Sequence, residues 1–243
     1  YPKFNKLFYD SNDAIATISK VTDDIVRNVA PGVECKYIPH TVDTEIFKSF
    51  SEEKILELRK EHFNFDSEEN DPVIFFWNNR NARRKQSGSV IWWFKEFLDK
   101  VGDENAILLM HTEPRDPHGQ DLLAVMQRCG LDDGQVRISK EKLPTEAMVD
   151  LYNMVDCTVN ISDAEGFGLA TFESMACGTP IIVNMTGGLQ EQVTDGTNWF
   201  GIGLEPASKA VIGSQEVPYI YEDRLCKDDF VNALEKMYNY TRE

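Results

Sequence analysis

The sequence predicts an α/β fold, a doubly wound parallel sheet, and three observations carry that expectation. Short β-branched or apolar runs alternate with longer helix-like stretches through most of the 243 residues. The apolar runs are continuous and do not alternate in polarity, as strands covered on both faces require. The β-then-α order also repeats regularly, which gives right-handed crossovers and helices on both sides of one sheet.

In chain order, residues 14–19 read as a strand, 21–29 as a helix and 35–38 as a strand. A helix is expected over 51–62, with Ser51 as N-cap and Lys54 in its first turn. The strand at 73–77 leads through a polar, basic loop to a helix at 88–101. The following pairs are 106–110 with 121–129, 136–138 with 145–154, 157–161 with 169–177, and 181–183 with 189–193. A last helix covers 228–240. Residues 52–225 are expected to form one such domain. The polar stretch 42–51, after a Pro-His-Thr break, reads as a hinge, and residues 1–41 as the end of a preceding α/β domain. No internal repeat or low-complexity segment interrupts this order.

The composition sets limits on function. With 42% hydrophobic residues the chain can bury a sizeable core, and 27% charged residues is ordinary for a globular protein. A net charge of −16 argues against nucleic acid or anionic lipid as partner, since those need clustered Lys and Arg. A small anionic ligand remains compatible, held by backbone amides and a few local cations. The five cysteines, Cys35, Cys129, Cys157, Cys177 and Cys226, include no C-x-x-C pair. They suit reduced thiols in an intracellular protein better than a disulfide framework or a zinc site. Sequons at Asn160, Asn184 and Asn239 read as chance, because the first two close apolar strands. No apolar run reaches the length of a transmembrane helix. The chain starts at Tyr1, so a missing signal peptide carries no information.

The chemistry concentrates in D-A-E-G-F-G-L-A-T-F-E-S-M-A-C-G-T-P-I-I-V-N, residues 163–184. Here a strand feeds a loop with Glu165, Gly166, Phe167 and Gly168, and a helix starts near Leu169. The carboxyl end of a parallel strand is where doubly wound sheets bind ligands. The N–H groups of Phe167, Gly168 and Leu169, with the positive end of the helix dipole, suit a diphosphate. Taken alone, the loop also reads as an ordinary strand-to-helix turn. Glu165 and Glu173 lie eight residues apart, roughly 12 Å if both were helical. That is too far for two acids acting on one glycosidic bond, which need about 5–9.5 Å. It suits two acids gripping opposite ends of an elongated ligand; the other reading leaves Glu173 facing solvent.

A second motif is F-F-W-N-N-R-N-A-R-R-K-Q, residues 75–86. Arg80, Arg83, Arg84 and Lys85 place four cations in six residues of an acidic chain, a local anion trap. A solvated basic loop is the alternative reading.

The segment E-G-F-G-L-A-T-F-E-S-M-A-C-G-T-P-I-I-V-N-M-T-G-G resembles the E-x7-E signature of retaining GT-B glycosyltransferases of family 4. The likeness implies that Glu165 contacts a donor sugar and Glu173 the ribose hydroxyls. It also implies that the backbone of Gly166, Phe167, Gly168 and Leu169 holds the diphosphate. Gly178, Thr179, Pro180, Gly187 and Gly188 continue the match. In that family an Arg, and a Lys five positions on, face the donor phosphates; Arg80 and Lys85 have this spacing. Asn79 and Gln86 stand where the family has glycines, so Arg84 can replace either cation. Residues 14–22 and 37–47 resemble the family's last acceptor-lobe segments and hinge, with His40-Thr41 in place of Asn-Gly. The family's glycine-rich loop and active-site His have no counterpart, and neither His40 nor His111 matches that His. Residues 226–243 are then a terminal helix crossing back to the acceptor lobe. Its apolar face, Phe230, Leu234 and Met237, would be partly uncovered or packed on residues 1–41.

The implied reaction is transfer of a hexose from a nucleoside-diphosphate sugar to a glycan, protein or lipid hydroxyl, with retention. Arg80 and Lys85 would stabilise the departing diphosphate. The base would stack near residues 138–143, with Ser139 as polar contact. Neither metal nor cofactor is expected: the four His are scattered, no Asp-x-Asp is suitably placed, and the nucleotide sugar is a substrate. A dinucleotide fingerprint is also missing, since no G-x-G-x-x-G follows a strand. The chain as a whole resembles glycosyltransferases of large algal (chlorella) viruses, which implies a guanine nucleotide such as GDP-mannose. A GT-B nucleotide-sugar epimerase and a non-catalytic nucleotide-sugar-binding module are the other readings. With the acceptor lobe mostly absent, the chain is expected to bind donor without transferring sugar.

Overall fold

A computed structural model of the chain describes residues 5–63, 71–102, 106–131 and 133–242. After a short helix α1 (Lys6–Asp10), strand β1 (Ala14–Thr17), helix α2 (Lys20–Val29) and strand β2 (Glu34–Tyr37) form a small unit with two parallel strands. Ser19 caps α2 by accepting from the Thr22 N–H at 3.2 Å. A connection without regular structure leads to α3 (Glu52–Phe63), where the Ser51 hydroxyl accepts from the Lys54 N–H at 3.4 Å, as the sequence suggests.

The main domain then runs β3 (Val73–Asn78), α4 (Ser87–Val101), β4 (Ala106–His111), α5 (Leu122–Cys129), β5 (Val136–Ser139) and α6 (Thr145–Met154). It continues with β6 (Cys157–Asn160), α7 (Leu169–Ala176), β7 (Ile181–Asn184), α8 (Leu189–Val193) and β8 (Gly201–Leu204). A hairpin follows, β9 (Ser208–Ile212) and β10 (Ile220–Arg224), and then α9 (Lys227–Arg242). The six-stranded sheet has the order β5-β4-β3-β6-β7-β8, and every pairing is parallel. The α/β, doubly wound expectation holds. The strand order reverses between β3 and β6, so the ligand crevice belongs outside the carboxyl ends of those two strands.

The continuous apolar strands have the burial that this topology demands. In β3, Val73, Phe75 and Trp77 face α4 and α9, whereas Ile74 and Phe76 face Phe63, Val149 and Tyr152 on the other side. These five residues are all buried, and Asn78 at the end of β3 is half-buried.

Three features depart from the sequence reading. Helix α9 does not return to residues 1–41. Phe230, Leu234 and Met237 are fully buried in the main core, and Phe230 packs on Trp93 of α4 with ring centroids 5.9 Å apart. The i, i+4, i+7 stripe is satisfied inside this domain, where the aromatic face of α4 offers more apolar surface than the small N-terminal unit. Strand β8 was not foreseen because two of its four residues are glycines, which have low strand propensity. The β9–β10 hairpin was also missed, and it reaches the candidate site.

Residues 42–51 are anchored to the domain. The Ser49 hydroxyl donates to the Cys177 carbonyl at 2.8 Å, and the Phe50 N–H donates to Asn153 Oδ1 at 2.8 Å. The β1–α2–β2 unit is tied on through Glu191, which accepts from the Lys20 N–H at 2.5 Å and the Tyr37 hydroxyl at 2.8 Å.

Candidate functional site

Three loops converge at the switch point. From β6 the chain continues through Asp163, Ala164 and Glu165 to α7. Gly168 precedes α7 at φ 91°, a conformation that favours glycine, and a Cβ there would stand 2.6 Å from Leu189 Cδ2. The turn after β7 lies directly beneath: a Cβ on Gly187 would sit 1.7 Å from the Glu165 carbonyl oxygen. The first turn of α7 leaves N–H groups at Leu169 and its neighbours with no acceptor within the helix. Phe167 is buried beside this turn, edge-on to His40 at 5.1 Å and to Phe172 at 5.3 Å.

The third loop follows β3. Arg83–Lys85 form one 3-10 turn that ends at Gln86, the one non-glycine residue with positive φ among those described. Its φ of 58° marks the position where the resemblance leads one to expect glycine. This turn directs Lys85 inward. Its ammonium donates to Glu165 Oε2, and both side chains are about nine-tenths buried. Arg84 lies alongside: Nη1 donates to the Ala164 carbonyl at 2.6 Å and stands 3.5 Å from Glu165 Oε2. The loops are joined through the backbone as well, the Asp163 N–H donating to the Arg84 carbonyl at 2.8 Å.

Burial works to raise the Glu165 carboxyl pKa, but Lys85 and then Arg84 outweigh it and hold the group below its ordinary range. Burial also pulls the Lys85 ammonium below its usual value, against the attraction of Glu165. The site therefore holds a desolvated ion pair whose cation has spare donors.

Glu173 does not face solvent. Its Oε2 accepts from the Tyr152 hydroxyl at 2.7 Å, and that hydroxyl accepts from Asn78 Nδ2 at 2.9 Å. Burial raises the Glu173 pKa, with Tyr152 opposing, and pushes the Tyr152 phenol well above its usual value. The relay links the end of β3 to the middle of α7.

Arg80 lies elsewhere. It is 61% exposed and bidentate to Asp116, with Nε at 2.7 Å and Nη2 at 3.2 Å, and it also contacts His118 Nδ1 at 2.8 Å. The structure thus brings Lys85 and Arg84 to Glu165, and leaves Arg80 turned outward to Asp116 on the loop after β4. Ser139 closes β5 with its hydroxyl 2.9 Å from His111 Nδ1, and burial lowers the pKa of that imidazole. Beyond Gly187 a cavity of about 970 Å³ opens between α2 and the hairpin, with Thr186, Tyr221 and Asp223 in its wall.

Among the described residues no cluster of His, Cys, Asp and Glu has the makings of a metal site, and no helix is long and apolar enough to cross a membrane. All five cysteines are free. Asn160 and Asn184 are buried strand ends that hydrogen-bond within the protein, so neither sequon is presented to solvent.

The six-stranded parallel sheet flanked by helices, with these loops at its switch point, has the fold of a GT-B-type, Rossmann-like lobe. The chain belongs to the family described as Glycosyl transferases group 1, whose model matches residues 59–212. Over 245 aligned residues it is 22% identical to an N-acetyl-alpha-D-glucosaminyl L-malate synthase of Bacillus anthracis, covering 99% of this chain and 60% of that protein. It is 38% identical over 69 residues to a D-inositol 3-phosphate glycosyltransferase of Acidothermus cellulolyticus, 28% of this chain and 15% of that one. Sucrose-phosphate synthase from Thermosynechococcus elongatus superposes with a TM-score of 0.72 at 20% identity, over 97% of this chain and 51% of that one. Anabaena Alr3699/HepE in complex with UDP and glucose gives 0.71 at 16% identity, over 100% and 59%. The chain thus spans 60% of the first of these relatives and about half of the sucrose-phosphate synthase.

Sequence reasoning missed Tyr152 and Asn78, whose spacing from Glu173 carries no signal. It also missed Glu222 and Arg224 of β10, which stand close to the cation loop. The E-D-R run at 222–224 was the available cue.

Proposed function

We propose that this chain supplies the donor site of a glycosyltransferase that moves a hexose from a nucleoside-diphosphate sugar to an acceptor hydroxyl, with retention of configuration. The observation that carries the reading is the convergence of Lys85, Arg84, Glu165 and the first turn of α7 on one crevice. Such a crevice offers a diphosphate two cations and a helix N-terminus. Lys85 and Arg84 neutralise the charge that grows on the departing diphosphate, and the backbone of Gly166, Phe167, Gly168 and Leu169 cradles it. Lys85 takes the phosphate role that the resemblance gives it, and Arg84 takes that of Arg80, which is held by Asp116.

Glu165 sits where it can accept from hydroxyls of the transferred sugar once its ammonium partner turns to the phosphate. Glu173, at the far end of the Asn78–Tyr152 relay, takes the ribose hydroxyls. Ser139 and the end of β5 lie on the same edge of the sheet and receive the base. The cavity beyond Gly187 gives the sugar and its acceptor, a glycan, protein or lipid, room beside Glu165. Side chains supply the positive charge, so the donor binds without metal or other cofactor. The nucleotide in solved relatives supports a diphosphate donor: the HepE structure holds UDP. The base in this chain is guanine on the resemblance to algal viral enzymes, GDP-mannose being the first donor to test. Five free thiols suit a reducing, intracellular setting.

The test is isothermal titration of the 243-residue chain with GDP, UDP and their sugars, followed by a radiolabelled-donor assay with and without acceptor. Absence of binding to every nucleoside diphosphate overturns the reading. Release of free sugar with no acceptor points instead to epimerase chemistry.

A further inference from the structure

The hairpin β9–β10 plugs into the carboxyl edge of the sheet through an ion-pair network centred on Glu222. That carboxylate is 3% exposed, between exposed Ile220 and Tyr221 and half-buried Asp223 and Arg224. It accepts from both terminal nitrogens of Arg83, at 3.0 Å and 2.5 Å, and from Arg224 Nη2 at 2.8 Å. Arg224 Nη1 donates to Asp163 Oδ2 at 2.7 Å, and the same oxygen accepts from Gln86 Nε2 at 2.6 Å. The Asp223 N–H donates to the Asp163 carbonyl at 2.8 Å, and Thr186 Oγ1 donates to Asp223 Oδ2 at 2.7 Å. Every loop of the candidate site is therefore fastened to the hairpin: the cation turn at Arg83, the Glu165 loop at Asp163, and the Gly187 turn at Thr186.

The three consecutive bases of the 3-10 turn are sorted by this arrangement. Arg83 turns to Glu222, and Arg84 and Lys85 turn to Glu165. A 3-10 turn has three residues per turn, so fixing one of its side chains sets the direction of the next two. Strand β10 lies beyond residue 212, where the family match ends.

We infer that Glu222 is a positioning residue for the diphosphate site: it captures Arg83 and thereby aims Arg84 and Lys85 at the ligand. The inference rests on the donor-site reading above and adds a part that the E-x7-E motif does not contain.

The experiment uses the 243-residue chain titrated with GDP and UDP, and with guanosine and uridine as phosphate-free probes. Glu222→Gln is expected to weaken the diphosphate that binds by about tenfold or more, and to leave the affinity of the matching nucleoside unchanged. Arg83→Gln, exposed enough to fold, is expected to weaken it to a similar degree. The double variant should be no weaker than the poorer single one, because both act through one contact. Val211→Ala, on the exposed face of the same hairpin, is expected to bind as wild type. Wild-type-like diphosphate binding by Glu222→Gln overturns the inference and leaves the donor site standing. So does tighter binding by Glu222→Gln with loss in Arg83→Gln, since Arg83 would then be a phosphate ligand that Glu222 withholds. An equal loss of nucleoside affinity would show that Glu222 merely supports the fold, which also overturns it. A wild-type chain that binds neither diphosphate removes the donor-site reading and the inference with it.

Discussion

Lys85 and Glu165 are buried together, and neither is tolerable there alone, because an unpaired buried charge is strongly destabilising. The pair makes stability depend on pH in a definite direction. Glu165 is held below its ordinary value in the folded state, so its contribution is complete above the unfolded value of 4.5 and is lost as pH falls through the folded one. Glu165→Gln should therefore be less stable than wild type near neutrality, and the gap should close as the pH falls from about 4.5 through the lowered folded-state value. Urea denaturation at several pH values measures it; a gap that is constant over this range contradicts the pairing. Glu173 makes a different demand. It accepts from Tyr152 now, and a ribose would add further donors. Glu173→Ala is expected to cost about 1–3 kcal/mol in affinity for a nucleoside diphosphate, the usual scale for a hydrogen bond to a charged group. Unchanged affinity by calorimetric titration would remove Glu173 from the site.

At the scale of elements, the site depends on how closely two turns approach each other. Gly187 has φ 49°, and a Cβ on it would meet the Glu165 carbonyl at 1.7 Å; Gly196 has φ 93° with open space around it. Gly196→Ala isolates the backbone conformation and should cost about 1–2 kcal/mol. Gly187→Ala adds a collision with backbone that cannot rotate away, and should exceed it by about 1–3 kcal/mol. Equal losses in the two variants would mean that the turns can part at no cost. The strands, the helices and the glycine turn were legible because their signals are local: apolar runs, the N-cap at Ser51, and a glycine before a helix. The partner of each cation was not. Arg80 and Lys85 have the spacing expected of phosphate ligands, yet the conformation of Gln86 and the carboxylate of Asp116, 36 residues from Arg80, decide which guanidinium faces the crevice. Such choices depend on contacts across the fold. The hairpin escaped notice for a similar reason, since Glu222 looks like a surface acid until Arg83 and Arg224 are seen around it.

For the whole molecule, a net charge of −16 and the dianionic ligand proposed above set opposing requirements. A divalent cation carried by the diphosphate is one solution, and a local reserve of positive charge is the other. The second is present in the fold. Lys85 is buried against Glu165, and Arg84 lies 43% exposed beside the same carboxylate. In a site shielded from water these charges act with less screening than surface charges do. A diphosphate entering the crevice meets Lys85 already desolvated, so the energetic cost of stripping that ammonium is met in folding. Nucleotide binding should consequently survive excess EDTA with its affinity unchanged, and Lys85→Gln should weaken it by about tenfold or more. The acidic surface will attract Mg2+ at low salt without regard to this site, so the titrations belong at physiological ionic strength, where exposed charges are largely screened. Binding that disappears with EDTA and returns with Mn2+ or Mg2+, while Lys85→Gln has no effect, would assign the diphosphate's counter-charge to a metal and take it away from Lys85.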